Sequence, residues 1–248
     1  MENYMRSPWI IVPTYNEAGN ITSMTSALLE LNIPDLHLMI VDDASPDGTG
    51  ALADELAKRA DGQMTVLHRR GDRGLGRAYL EGFRYALAHD ATAILQMDCD
   101  FSHQPKDVPV LFDALEDVDL VIGSRYIEGG SVDPEWGVQR KVLSAGGNVY
   151  ARIILGMQEV SDATGGFRAW KRETLANIGL HRIRSQGYIF QVEMAYVTWL
   201  NGFSIKETPI HFPDRRIGES KMSLKVKLEA ALRVWELRWR YRKLARQK

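Results

Sequence analysis

The chain has 248 residues, 45% of them hydrophobic and 25% charged, with 31 Lys or Arg against 32 Asp or Glu. That balance excludes a disordered, collagen-like or coiled-coil chain and is enough for one large domain with a substantial core. The formal net charge of -1 carries no polyanion-binding signature, so nucleic acid is not an expected partner.

In chain order, short apolar runs of strand length alternate with helix-length segments. Residues 9–12, 36–41, 65–67, 93–97 and 120–122 read as strands, and segments near 19–31, 49–60, 75–88 and 106–116 as helices. Buried, nearly continuous apolar strands in a βαβαβ alternation predict a mostly parallel α/β sheet covered by helices on both faces. A helix follows from about Gly137 to Leu155, another from Phe190 to Leu200, then a strand from Ile205 to Phe212 and a terminal helix from Leu224 to Leu244. The expected organisation is one catalytic domain over 1–221 and a basic amphipathic C-terminal helix over 222–248.

Charge is unevenly placed along this chain. Between Lys221 and Lys248 lie ten Lys or Arg and two Glu, whereas the preceding residues carry 21 basic and 30 acidic side chains. Leu224, Leu228, Ala231, Trp235 and Trp239 recur at helical spacing in this segment. A basic helix with an apolar stripe suits an anionic membrane surface, or else packs back on the body. The longest uncharged run, Met194 to Ile205, is too short to span a bilayer, and the N-terminus lacks the apolar core of a secretory signal. A cytoplasmic, peripheral location is expected. The single cysteine, Cys99, excludes an intramolecular disulfide framework.

In open α/β sheets, ligands bind beyond the carboxyl ends of the strands. The predicted strands are followed by Pro13-Thr14-Tyr15-Asn16-Glu17, Asp42-Asp43-Ala44-Ser45, Arg69-Arg70-Gly71, Asp98-Cys99-Asp100 and Gly123-Ser124-Arg125. These loops carry carboxylates and guanidinium groups, the profile of a site for a charged ligand. Asp98 and Asp100, one residue apart after an apolar strand, are expected to project to the same side. Two such carboxylates repel unless a divalent hard cation joins them. One of Asp42 and Asp43 is accounted for by turn chemistry with Ser45. The glycines of Gly71 to Ala78 lack the third glycine of a dinucleotide loop, with Tyr79 in its place. The six histidines have no metal-ligand spacing, and His103 reads as a solvated loop residue.

Together with Gly74-Leu75-Gly76, Tyr126 and Gly218-Glu219-Ser220-Lys221, these motifs resemble glycosyltransferase family 2, in particular its dolichol-phosphate and polyprenol-phosphate mannose synthases. The resemblance runs from Pro13 to Lys221 and implies a GT-A type, Rossmann-like fold. It implies transfer of mannose from GDP-mannose to a polyprenyl or dolichyl phosphate, with inversion and with Mg2+ or Mn2+. Pro13, Tyr15, Glu17, Val41 and Asp43 match the positions that hold the nucleoside, and Asp98, Cys99 and Asp100 the metal and diphosphate motif. Cysteine stands where alanine is usual, and Ser102 where some members place a glutamine as third metal ligand.

Arg125, Arg215 and Lys221 match phosphate-contacting positions, and with Asp100 are the expected catalytic residues. Arg140 and Ser144, four apart on one helix face, match positions that hold the acceptor phosphate, together with Arg125. Asp162 to Arg168, Gln191 and Glu193 match segments on the sugar side. Guanidinium groups suit phosphate oxygens on physical grounds as well. The loop Asp214 to Lys221 is expected to order over the donor. An integral-membrane anchoring partner is a further expectation for a member without membrane-spanning helices. Two alternatives remain at this level: a glucosyltransferase using UDP-glucose, and a non-catalytic nucleotide-sugar-binding subunit.

Overall fold

The computed structural model of the chain describes residues 5–214 and 224–246, with 224–230 described by backbone alone. Strands β1 (Pro8–Thr14), β2 (His37–Asp42), β3 (Met64–His68), β4 (Ala93–Gln96) and β5 (Leu120–Ser124) form where the apolar runs lie. Helices α1 (Ile21–Leu29), α2 (Thr49–Arg59), α3 (Leu75–Ala88) and α4 (Val108–Ala114) alternate with them. A 3-10 turn at Pro105–Asp107 leads into α4, because proline fits the first turn of a helix, where no N–H is needed.

Seven strands make one mixed sheet in the order β3-β2-β1-β4-β7-β5-β8. β7 (Arg168–Lys171) is antiparallel to both β4 and β5, and the remaining pairs are parallel. β7 has no apolar run to announce it. Its Trp170 enters the core beside Phe83, and its Ala169 faces the opposite core.

The strand expected over 205–212 is two strands. β8 (Ile205–Pro209) is the sheet's edge and pairs with β5, while β9 (His211–Phe212) pairs with β6 (Ser131–Val132) in a separate ribbon. Pro209, lacking an N–H, is tolerated at such an edge.

Helix α5 (Val138–Leu155) precedes β7, α6 (Arg172–Asn177) follows it, and α7 (Tyr188–Leu200) is buried almost all round beneath the sheet. The terminal segment forms α8 (Leu224–Arg240) and a short α9 (Arg242–Ala245). Val234, Leu237 and Tyr241 of this segment join the core that α3, α5 and α7 share with one sheet face. Trp235, Trp239 and Leu232 instead face outward, at 52%, 67% and 74% exposure. The stripe read from sequence is therefore the outer face near Trp235 and Trp239, and a second stripe, offset by one to two residues, seats the helix on the body. Among the described residues, no helix is long and apolar enough to cross a membrane.

The carboxyl ends of β1, β2 and β4 each lead into a loop containing a non-glycine residue with left-handed backbone: Asn16 (φ 61), Ala44 (φ 54) and Phe101 (φ 61). For alanine and phenylalanine this conformation costs about 1 kcal/mol or more, and it persists where the surroundings over-determine it. These three loops converge on one side of the sheet.

Candidate active site

At the β2 exit the two adjacent aspartates divide their work. Asp42 closes the turn, accepting from the Ser45 hydroxyl at 2.6 Å and the Thr14 hydroxyl at 3.2 Å. Asp43 points the other way, where its Oδ2 accepts the Gly74 N–H at 2.7 Å and its Oδ1 pairs with the buried Arg69 guanidinium. Arg69 Nε lies 3.0 Å from Glu81 Oε1, too poorly aligned for a hydrogen bond. Arg73 covers the mouth of this cradle. It donates to the Tyr15 hydroxyl at 2.6 Å and to the Ala44 carbonyl at 3.3 Å, with its guanidinium carbon 4.7 Å from the Tyr15 ring centre.

Glu17 is held through its backbone N–H on the Thr49 hydroxyl, and its carboxylate accepts from Asn20. Pro13 is buried, and Val41 packs into the core beneath Gly82 of α3, so both shape the floor of the cradle.

Asp98 and Asp100 lie past the end of β4, so the turn around Phe101, and not strand alternation, sets their directions. Asp98 Oδ1 accepts the Tyr79 hydroxyl at 3.1 Å, and its N–H donates to His103 Nδ1 at 2.9 Å. Asp100 Oδ1 accepts both the backbone N–H and the hydroxyl of Ser102, at 3.0 and 2.5 Å. His103 is not solvated: it is 2% exposed and stacked on Phe167 with ring centres 5.0 Å apart. Burial lowers its pKa, outweighing the opposing pull of Asp98 and Asp100. A neutral ring that accepts at Nδ1 carries its proton on Nε2.

Between the two aspartates, burial pushes the Cys99 thiol up, reinforced by Glu17, Asp100 and Asp98. The flanking Asp98 and Asp100 offer two oxygen donors oriented by Tyr79 and Ser102, a set that fits a hard divalent cation. Among the described residues no third His, Cys, Asp or Glu completes a cluster. Phosphate oxygens and water would supply the other positions, the usual habit of Mg2+. Ser102, turned onto Asp100, acts as an orienting partner.

Across the cleft, Arg125 at the β5 exit forms a bidentate pair with Asp162, Nε to Oδ2 and Nη2 to Oδ1, both at 2.7 Å. Nη2 also donates to the Thr164 hydroxyl at 2.9 Å. Burial disfavours both charges. The guanidinium nevertheless holds Asp162 below the usual carboxylate range, and Asp162 in turn raises Arg125. Among the described residues Nη1 of Arg125 has no protein hydrogen bond, and that edge can meet an anion. Arg125 also lies 5.1 Å over the Phe212 ring, and Phe212 in turn packs edge-on against His103. One aromatic ring thus joins the acidic and basic halves of the site.

From the next residue, Tyr126, the hydroxyl donates to Ser144 at 2.6 Å and so ties α5 to β5. Arg140, one turn earlier on α5, stacks over Trp136 at 3.7 Å and pairs with Asp214 at 3.1 Å. Its guanidinium is partly exposed.

Comparisons with known proteins place the chain in a family. The family model described as glycosyl transferase family 2 matches residues 9–179. The chain belongs to glycosyl transferase family 2. It is 43% identical over 234 residues to the polyprenol monophosphomannose synthase of Mycolicibacterium smegmatis, covering 93% of this chain and 87% of that protein. It is 44% identical over 233 residues to the undecaprenyl-phosphate mannosyltransferase of Micrococcus luteus, covering 92% and 94%. Among solved structures, glucosyl-3-phosphoglycerate synthase from Mycobacterium tuberculosis superposes with a TM-score of 0.65 at 18% identity, covering 94% of this chain and 78% of that one. That likeness establishes the GT-A-like fold. Crystals of that synthase were obtained with Mn2+ or Mg2+.

Several residues of this family 2 chain orient expected site residues without having been expected to. Arg69, Arg73 and Tyr79 each bond to one, and their partners lie between 19 and 58 positions away; Tyr126, read only as part of a motif, does the same for Ser144. The arginines stood in a post-strand loop, which was the one available signal. Asp162 was legible only as a sugar-side position, yet it is the fully buried partner of Arg125. Gln191 bonds to Gln96 and accepts from the buried Arg168, a packing role. Arg215 and Lys221, expected at the phosphates, lie outside the described residues. The described residues also form a pocket of about 390 Å³, lined mainly by residues 175–182 with Leu87 and Asn201, away from the acidic loops.

Proposed function

We propose that this chain transfers mannose from GDP-mannose to polyprenyl phosphate, with inversion at the anomeric carbon, giving polyprenyl phosphomannose and GDP. The observation that carries the reading is the identity of 43–44% over more than nine-tenths of the chain to two enzymes named for mannosyl transfer to polyprenyl phosphates. The geometry supports it, with an acidic metal motif and a basic, partly exposed anion site facing one cleft.

In this reading the donor nucleoside rests on Pro13, Tyr15, Glu17, Val41 and Asp43, and the diphosphate on Asp98, Cys99 and Asp100. Arg215 and Lys221 add positive charge to the diphosphate. Asp98 and Asp100 would hold a Mg2+ or Mn2+ ion, which would supply positive charge against the departing diphosphate. The acceptor phosphate binds Arg140, Ser144 and the open edge of Arg125. An oxygen of that phosphate forms the new bond to the anomeric carbon as the bond to the β-phosphate oxygen breaks. A phosphate monoester has its second pKa near 6, so the nucleophile is already ionised and no side chain need take a proton. The work of this chain is to hold two anions in line and to exclude water.

Val138, Val142, Val149 and Ile153 are exposed along one face of α5, and Trp235 and Trp239 on the outer face of α8. These apolar side chains would meet the bilayer that holds the acceptor. Basic residues of the terminal segment would meet the anionic cytoplasmic leaflet, each contributing roughly 1 kcal/mol. An integral-membrane anchor is a natural additional partner for such a surface.

The test is transfer of labelled mannose from GDP-mannose to a polyprenyl phosphate in liposomes with Mg2+ or Mn2+, beside Asp100→Ala. Metal-dependent formation of a mild-acid-labile lipid product, lost in the variant, is the expected result. Transfer from UDP-glucose in its place would overturn the donor assignment.

A further inference from the structure

Glu193 sits on α7 at 0% exposure, in the body of the protein and away from the metal motif. A carboxylate so buried is costly unless it is fully engaged, and this one is. Oε2 accepts the backbone N–H groups of Arg184 and Ser185, at 3.1 and 2.8 Å. Oε1 accepts the Tyr241 hydroxyl and the Arg240 guanidinium, both at 2.8 Å. One oxygen therefore grips the loop that leads into α7, and the other grips the end of the C-terminal helix.

The gripped loop abuts the donor cradle. A Cβ at Gly76 would stand 2.7 Å from the Ser185 carbonyl oxygen, and one at Gly74 would stand 2.5 Å from Gln186 Oε1. Gln186 Oε1 also accepts the Arg77 N–H at 3.2 Å. Gly74 in turn donates to Asp43, the carboxylate assigned to the donor. The contacts form a continuous path: Tyr241 and Arg240, Glu193, Ser185 and Gln186, Gly74, Asp43.

At the far end of that path, α8 exposes Trp235 and Trp239. We propose that Glu193 is a positioning residue that ties the C-terminal helix to the donor cradle, so that seating this helix on a lipid surface orders the 71–77 loop around Asp43. The inference rests on the reading that the chain works at a lipid surface. It makes donor capture conditional on the presence of the membrane that holds the acceptor, because both ends of the path are locked by one carboxylate.

Hydrogen–deuterium exchange of the full chain, with and without vesicles containing phosphatidylglycerol, tests it without any sugar donor. In the wild type, vesicles should slow exchange in 71–77 and 184–187 by about 5-fold or more, the range of ordinary coupling between sites. Glu193→Gln should still sediment with vesicles, yet lose the vesicle effect at 71–77. Tyr241→Phe, which keeps the Arg240 contact, should show a reduced effect and supplies the test should Glu193→Gln fail to fold. A wild type that sediments with vesicles but shows no change at 71–77, or variants slowed as much as the wild type, overturns the coupling. A wild type that does not sediment overturns the lipid-surface reading beneath it. Absence of mannosyl transfer with the exchange pattern intact would sink only the donor assignment.

Discussion

Arg125 and Asp162, 37 positions apart, meet through two parallel hydrogen bonds of 2.7 Å at the exit of β5. Asp162 is fully buried; its carboxylate also accepts the Arg125 backbone N–H and the Thr164 hydroxyl, and its own N–H donates to Glu207 at 2.7 Å. The pair fixes the guanidinium, with Nε and Nη2 both engaged by Asp162.

Removing one member of such a pair leaves a buried charge without compensation. Asp162→Ala should lower folding stability by about 3–5 kcal/mol, read from a denaturant titration. Arg125→Lys should lose most of the bidentate geometry and fall between the two. A variant within about 0.5 kcal/mol of wild type would show that the pair is not structural.

The same pair predicts an acid limb. Asp162 has a folded pKa below its ordinary value, so the unfolded chain takes up its proton first. The stability it contributes is complete above about pH 4 and is lost as pH falls through the lower, folded value. Asp162→Asn should therefore be less stable at neutral pH and show a shallower loss of stability below pH 4. Parallel acid limbs for the two proteins would contradict this.

At the metal motif, two substitutions separate holding from orienting. Asp100→Ala should lower kcat by two to three orders of magnitude, about 3–4 kcal/mol of lost leaving-group stabilisation. Ser102→Ala should chiefly weaken metal affinity, by about 10- to 100-fold, and regain activity at high Mn2+. Titrating each variant with Mn2+ distinguishes them, and a Ser102→Ala protein with wild-type metal dependence would remove Ser102 from the motif.

Gly76 has no room for a side chain. A Cβ there would also stand 2.8 Å from the Phe190 ring, against atoms that cannot swing away. Gly76→Ala should cost about 1–3 kcal/mol and raise the KM for the donor more than that for the acceptor. Gly71→Ala, where nothing lies within 4 Å but φ is +109, should cost stability through the backbone alone.

On the acceptor side, Arg140→Ala should raise the KM for polyprenyl phosphate while leaving that for the donor within about 2-fold, since a charge-assisted contact of about 1.5–3 kcal/mol is lost from one substrate only. Steady-state kinetics with each substrate varied in turn would show it. Equal changes in both KM values would place Arg140 in the donor site or in the fold.

The amino-acid sequence by itself determined the alternating βαβ frame, the side of the sheet where the charged loops gather, and the acidic and basic residues available there. Buried parallel strands require uninterrupted apolar runs, and those runs end where polar loops begin, so both are readable without a third dimension. Tertiary structure decided the rest, because each remaining question concerned a partner distant in sequence. Asp42 and Asp43 are indistinguishable in a string, and only the placement of Ser45 and Arg69 separates a turn former from a cradle residue. Arg168-Ala169-Trp170-Lys171 shows no strand pattern, yet β4 and β5 leave a gap that this segment fills, and three carbonyls accept from Arg168 where it is buried. The C-terminal helix has two apolar stripes in its sequence, and the choice of which faces the body fell to Glu193, whose buried carboxylate takes Arg240 and Tyr241 and leaves Trp235 and Trp239 outside.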